Sequence, residues 1–164
     1  MILKPIHGYR HLLIKKRRSY AAESACYKGE INLKNPARIN WFKVKHPTGT
    51  ARYRMAARGV SSLNTKVTEA KVTAAKIKED KTKEIVFIGG SDNPYNYNGI
   101  GYNGKPSTPS HEIWRYNINT STWSVTHSDT ATMDHRGLLQ LNEKLLTLGG
   151  MSKNQQVLNT INFY

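Results

Sequence analysis

This 164-residue chain has one cysteine, 11 acidic residues against 25 basic ones, and no long apolar run. Its single cysteine, Cys26, excludes an intrachain disulfide and any zinc site built on paired cysteines. No apolar run approaches the ~20 residues of a membrane-spanning helix. Near the N-terminus, Met1-Ile2-Leu3 and Leu12-Leu13-Ile14 are too short for the ~7-residue apolar core of a signal peptide. Neither a phosphate loop nor a Gly-x-Ser-x-Gly nucleophile elbow is present, and Gly99-Ile100-Gly101 lacks dinucleotide-loop spacing.

Basic charge is plentiful and unevenly placed. Residues 1–84 hold 20 Lys/Arg against 6 Asp/Glu, whereas residues 85–164 hold five of each, so the formal +14 belongs to the N-terminal half. Such asymmetry implies a basic segment joined to a neutral domain. Residues 1–60 contain the run Lys15-Lys16-Arg17-Arg18 and are interrupted by Pro5, Pro36 and Pro47. Apolar residues there are sparse apart from Ile39–Val44, which reads as one strand. High charge with low apolar density predicts a weakly structured segment.

The C-terminal half repeats itself. Glu84-Ile85-Val86-Phe87-Ile88-Gly89-Gly90 and Lys144-Leu145-Leu146-Thr147-Leu148-Gly149-Gly150 are both apolar runs ending in Gly-Gly, 60 residues apart. Glu112–Asn117, a polar turn at 118–122 and Trp123 follow the first copy; a further apolar segment, 157–164, follows the second. In the second copy a strand at 137–141 and a turn at Asn142-Glu143 precede the run. That register predicts a strand at 72–78 before Glu84. The residues Leu63, Val67, Ala70, Ala74 and Ile77 also fit a helical stripe beginning near Ser62, and the repeat favours the strand.

A strand ending in Gly-Gly, a variable loop, an aromatic-bearing strand and a Trp after a polar turn resemble the kelch repeat of β-propellers. The resemblance covers roughly half the chain. It implies an all-β fold: an incomplete kelch-type propeller of about one and a half blades behind the basic N-terminal region. The basic segment is 1–60 and the repeat region 61–164, with blade one at 72–127 and a partial blade two at 135–164. Gly89, Gly90, Tyr116, Trp123, Gly149 and Gly150 carry the motif. A kelch propeller of at least ~4 blades, each about 50 residues, is longer than this chain. The expectation is therefore a fragment, or a piece that self-associates to complete a ring.

The loop 91–111 is rich in turn signals and holds Asp92, Tyr95, Tyr97 and Tyr102 among asparagines. Tyrosine faces and amide groups suit carbohydrate hydroxyls, so these residues, with Arg136, form the candidate ligand rim. Asp134-His135-Arg136 reads as a hydrogen-bonded tie between blade edges, with Arg136 alternatively binding an anion. The resemblance thus implies a non-catalytic module for a protein or carbohydrate ligand. Galactose-oxidase-like copper enzymes share the propeller, which opens an enzyme alternative. None of the six histidines, His7, His11, His46, His111, His127 and His135, has a convincing ligand spacing, so no metal, cofactor or catalytic residue is assigned. A third alternative is nucleic-acid binding through Lys15, Lys16, Arg17 and Arg18, with aromatics interleaved around them.

Overall fold

In the computed structural model the chain is all-β. It describes residues 24–61, 82–135 and 137–164 fully, and the backbone of three short N-terminal strands. Those are β1 (Ile2–Pro5), β2 (Leu12–Ile14) and β3 (Arg17–Ser19). They are followed by β4 (Cys26–Asn32), β5 (Asn35–Val44), β6 (Ala56–Val60), β7 (Glu84–Ile88), β8 (Ser110–Asn117), β9 (Thr122–Thr132), β10 (Leu139–Leu141), β11 (Lys144–Leu148) and β12 (Ile161–Phe163). One helical turn, Lys153–Gln155, completes the described elements.

The strands form three open antiparallel sheets and one small hairpin. The first sheet is β1-β4-β5, the middle sheet β6-β7-β8-β9 and the last sheet β10-β11-β12, with β2-β3 as the hairpin. In the middle and last sheets neighbours are consecutive in the chain, whereas β1 pairs with β4 across the β2-β3 hairpin.

The expected runs at 84–88 and 144–148 are β7 and β11, and the expected strand at 39–44 lies within β5. The described residues bear on one expectation and leave another outside them. Within the part of 1–60 expected to be weakly structured, the described residues from 24 on are built into sheets: Cys26–Val44 forms a long hairpin, and β6 belongs to the middle sheet. A half-exposed hairpin needs few apolar residues, so composition understated it. The neighbour of β7 is β6, paired from Ala56↔Ile88 to Val60↔Glu84. The strand expected at 72–78 falls outside the described residues.

The repeat seen in sequence recurs in the hydrogen-bond ladder. Tyr53 and Ser91 exchange two backbone hydrogen bonds of 2.9 Å, and Met133 and Met151 exchange two of 2.9 and 2.8 Å. The amide of Gly89 donates to Glu112 (3.0 Å) as that of Gly149 does to Thr160 (2.9 Å). Ser110 donates to the Gly90 carbonyl at 2.8 Å, and Leu158 to that of Gly150 at 3.0 Å. Ile88↔Ile113 in the middle sheet matches Leu148↔Ile161 in the last. Arg54 and Asp134, each one residue beyond its bridging partner, share left-handed φ values of 54° and 62°.

Hairpin turns also recur. The Asn117 carboxamide oxygen accepts from the amides of Asn119 and Thr120, both at 3.0 Å. That of Asn32 accepts from Lys34 (2.9 Å) and Asn35 (3.2 Å). Both are turns in which an asparagine side chain replaces a backbone acceptor.

The main core lies between the middle and last sheets. Ala56, Val86, Ile88 and Ile113 pack with Leu138 and Leu145, and Val60 and Tyr164 close the cluster. A second cluster, Tyr53, Tyr95, Met133 and Met151, sits where the two sheets' bridging residues meet. Phe87, Trp114, Tyr116 and Trp123 share the opposite face of the middle sheet, with the Tyr116 and Trp123 rings 4.8 Å apart.

Candidate functional site

Four places gather polar side chains: the loop 91–109, the junction of Arg54 with Asp134, a cluster around Glu112, and a groove between the middle and last sheets.

The loop leaves β7 at Gly89-Gly90 and returns into β8. Its internal bonds are dense. The Asp92 carboxylate accepts from the Thr108 amide (2.8 Å), and the Asn93 carboxamide donates to Asn103 Oδ1 (2.9 Å). Buried Ser91 and Ser107 hydroxyls both donate to the Asn93 carbonyl at 2.9 Å. Isolated bridges Tyr95↔Gly101 and Ile100↔Pro106 fold the loop on itself. Gly101 lies against the Asn93 carboxamide, so that a Cβ there would collide with it.

That scaffold sorts the expected rim residues. Tyr97 is 80% exposed and Tyr102 51%. Asp92 is exposed but acts as a loop tie. Tyr95 is corrected: it is fully buried beside Tyr53 and the two methionines, so it anchors the loop and is not on the rim. Burial pushes the Tyr95 hydroxyl's pKa far up. Arg136, Lys15 and Lys16 fall outside the described residues, and only the backbone of Arg17 and Arg18 is described.

At the junction, Arg54 Nη1 donates to Asp134 Oδ1 at 2.6 Å, with about four-fifths of each side chain buried. The Arg54 guanidinium also lies over the rings of Tyr53 (5.2 Å) and Tyr95 (5.0 Å). Next in the chain, His135 is buried, with Nε2 2.7 Å from the Thr132 hydroxyl. The Tyr164 hydroxyl then joins Thr132 (3.3 Å) to Thr147 (3.2 Å). Burial holds the His135 imidazole below its ordinary pKa despite neighbouring Asp134. These contacts join the two sheets. The expected tie at 134–135 is therefore present, and its partner Arg54 was missed because 80 residues separate the pair.

Glu112 makes a further cluster. It accepts from Arg52 (3.0 Å) and from the Trp114 indole (3.1 Å), while His46 lies edge-on to Trp114 at 5.0 Å. Burial alone would push the Glu112 carboxyl up, but these donors bring it below its usual range. Among the described residues no three His, Cys, Asp or Glu side chains converge, and no helix is long and apolar enough to cross a membrane.

The groove is about 470 Å³ and opens beside the start of β7, with Lys83, Glu84, Arg115, Asn117, Gln140 and Glu143 among its walls. Arg115 and Glu84, on neighbouring strands of the middle sheet, pair along one wall at 3.5 Å.

No protein-family model matches the chain, and no curated protein matches it. Among solved structures it is similar to one described as "Structure of YjhT", at 18% identity and a TM-score of 0.48, over 81% of this chain. The chain spans 30% of that protein's length. A likeness of that score and identity carries no argument about fold or function.

Proposed function

We propose that this chain is part of a kelch-type propeller and works by binding, with the loop 91–109 as its ligand rim and a carbohydrate as its ligand. The observation that carries this is two exposed tyrosines, Tyr97 and Tyr102, on a loop whose backbone is fixed by its own hydrogen bonds. A fixed loop loses little conformational freedom on binding. Tyrosine rings present flat apolar faces to sugar C–H groups, and their hydroxyls meet sugar hydroxyls. The recurring Gly-Gly ladder supports the kelch reading, since it places a variable loop after each inner strand, and such loops on rigid scaffolds are where binding residues gather. No catalytic step is assigned to the rim.

The test is saturation-transfer NMR with a panel of neutral oligosaccharides, followed by titration of the best binder. Tyr97→Ala is expected to weaken binding by about tenfold, or about 1.4 kcal/mol, with an unchanged circular dichroism spectrum. If no oligosaccharide binds, or if Tyr97→Ala binds as the parent does, the assignment fails.

A further inference from the structure

The middle and last sheets present the same face in different surroundings. In the middle sheet Val86, Ile88 and Ile113 share one face and are 0%, 1% and 8% exposed, because Leu138, Leu145 and Tyr164 of the last sheet cover them. By ladder position, Leu146, Leu148 and Ile161 are their counterparts. Directly paired residues lie on one side of a sheet, so Leu139, Leu141 and Phe163 lie on that side too. Here Leu146 is buried among its neighbours at 8%, but the rest of the face is open: Leu139 is 46% exposed, Leu141 58%, Leu148 59%, Ile161 57% and Phe163 56%, with Lys144, opposite Leu141, lying over the Phe163 ring at 5.9 Å. A contiguous apolar face of this kind marks a protein contact. Its counterpart already makes one within the chain.

The surface covering Val86 and Ile88 is a sheet face carrying aliphatic residues and one tyrosine. The first sheet has a face of similar chemistry. Its pairings Tyr27↔Lys43, Gly29↔Trp41 and Ile31↔Ile39 set Trp41, Ile31, Ile39 and Tyr27 on one side, with the exposed Lys43 at its end. Trp41 is 43% exposed and lies over Gly29, where an added Cβ would come within 2.9 Å of the ring. Because only hydrogen at Gly29 lets the indole lie so close, the ring forms part of a flat apolar surface.

We propose that the open face of the last sheet docks on the Trp41 face of the first sheet in a second copy of this chain. The contact continues by one step the stacking seen between the middle and last sheets. It joins two different surfaces, so it is head-to-tail, and such contacts close into rings or extend as filaments. It rests on the ladder repeat and the kelch reading of it; it is independent of the ligand assigned to the loop, so failure of sugar binding leaves it standing.

The test is light scattering after size exclusion, on the full chain over a range of concentrations. The parent is expected to exceed 18.6 kDa as concentration rises. Two variants each block one surface: Leu148→Lys with Ile161→Lys, and Trp41→Lys. Each alone is expected to be monomeric. Mixed in equal amounts they keep one intact pair of surfaces, so the mixture is expected to give a discrete dimer and nothing larger. Circular dichroism checks that each folds, and Leu141→Lys serves as a second variant on the same face. A parent that stays at 18.6 kDa at every concentration overturns the proposal and leaves the face to another partner. So does a mixture that remains monomeric, or a variant that assembles as the parent does.

Discussion

Replacing Gly89 by alanine is expected to be among the costliest single-methyl additions in this chain. Gly89 has a φ of +69°, and a Cβ built there falls 2.5 Å from the Thr132 carbonyl oxygen. Two costs follow. A side chain in left-handed backbone costs about 1–2 kcal/mol. The close contact is with backbone, so the strand itself must move, straining the Gly90 amide's 3.0 Å hydrogen bond to that same carbonyl. A weakened backbone hydrogen bond adds about 1 kcal/mol, and the total is about 2–3 kcal/mol. Gly104 separates the two costs, because its φ is +77° but nothing lies within 4 Å of the added Cβ. Gly104→Ala is therefore expected to lose only the conformational part. The assay is urea unfolding followed by tryptophan fluorescence, read as a shift in midpoint at constant slope. If Gly89→Ala costs no more than Gly104→Ala, the close approach of β7's end to β9 is wrong.

Other outcomes follow from the junction and the basic run. Because burial lowers the His135 pKa, the folded chain resists a proton that the unfolded chain accepts below about pH 6.5. Stability should hold above that pH and fall as pH drops through the window beneath it; His135→Gln should reduce the fall, and an equal slope in both proteins would contradict the reading. Arg54→Ala and Asp134→Ala should each destabilise the chain, and a double-mutant cycle should give a coupling of about 1–2 kcal/mol; zero coupling would show the ion pair to be dispensable. If Lys15–Arg18 contacts phosphate backbones, binding to single-stranded DNA should weaken with salt with a log–log slope of about −3, and reversing those four charges should remove it.

What the sequence made legible was local. Gly-Gly at the end of an apolar run, and Asn117 before a Thr-Ser-Thr turn, announce themselves within a few residues. Strand β6 does not: Ala56, Ala57 and Gly59 have little strand preference, and the ladder with β7, formed across the intervening residues 61–83, decides their conformation. Tyr95 shows the same limit in the loop. Turn chemistry at Asn93-Pro94 and Asn98-Gly99 located the loop correctly, but the direction of one ring depends on a bridge to Gly101 and on methionines 38 and 56 residues away. The Arg54–Asp134 pair joins residues 80 apart, and became findable only once the ladder aligned the two copies.

The repeated ladder carries the fold, the loop assignment and the docking surface, and amide hydrogen exchange tests it most directly. The amides of Tyr53, Ser91 and Gly89 in one copy, and of Met133, Met151 and Gly149 in the other, are each bonded across strands. Slow exchange at all six, with the two sets responding together to added urea, is the predicted result. Fast exchange at Met133, Met151 and Gly149 while the first set stays protected would contradict it, leaving one folded sheet and no repeat.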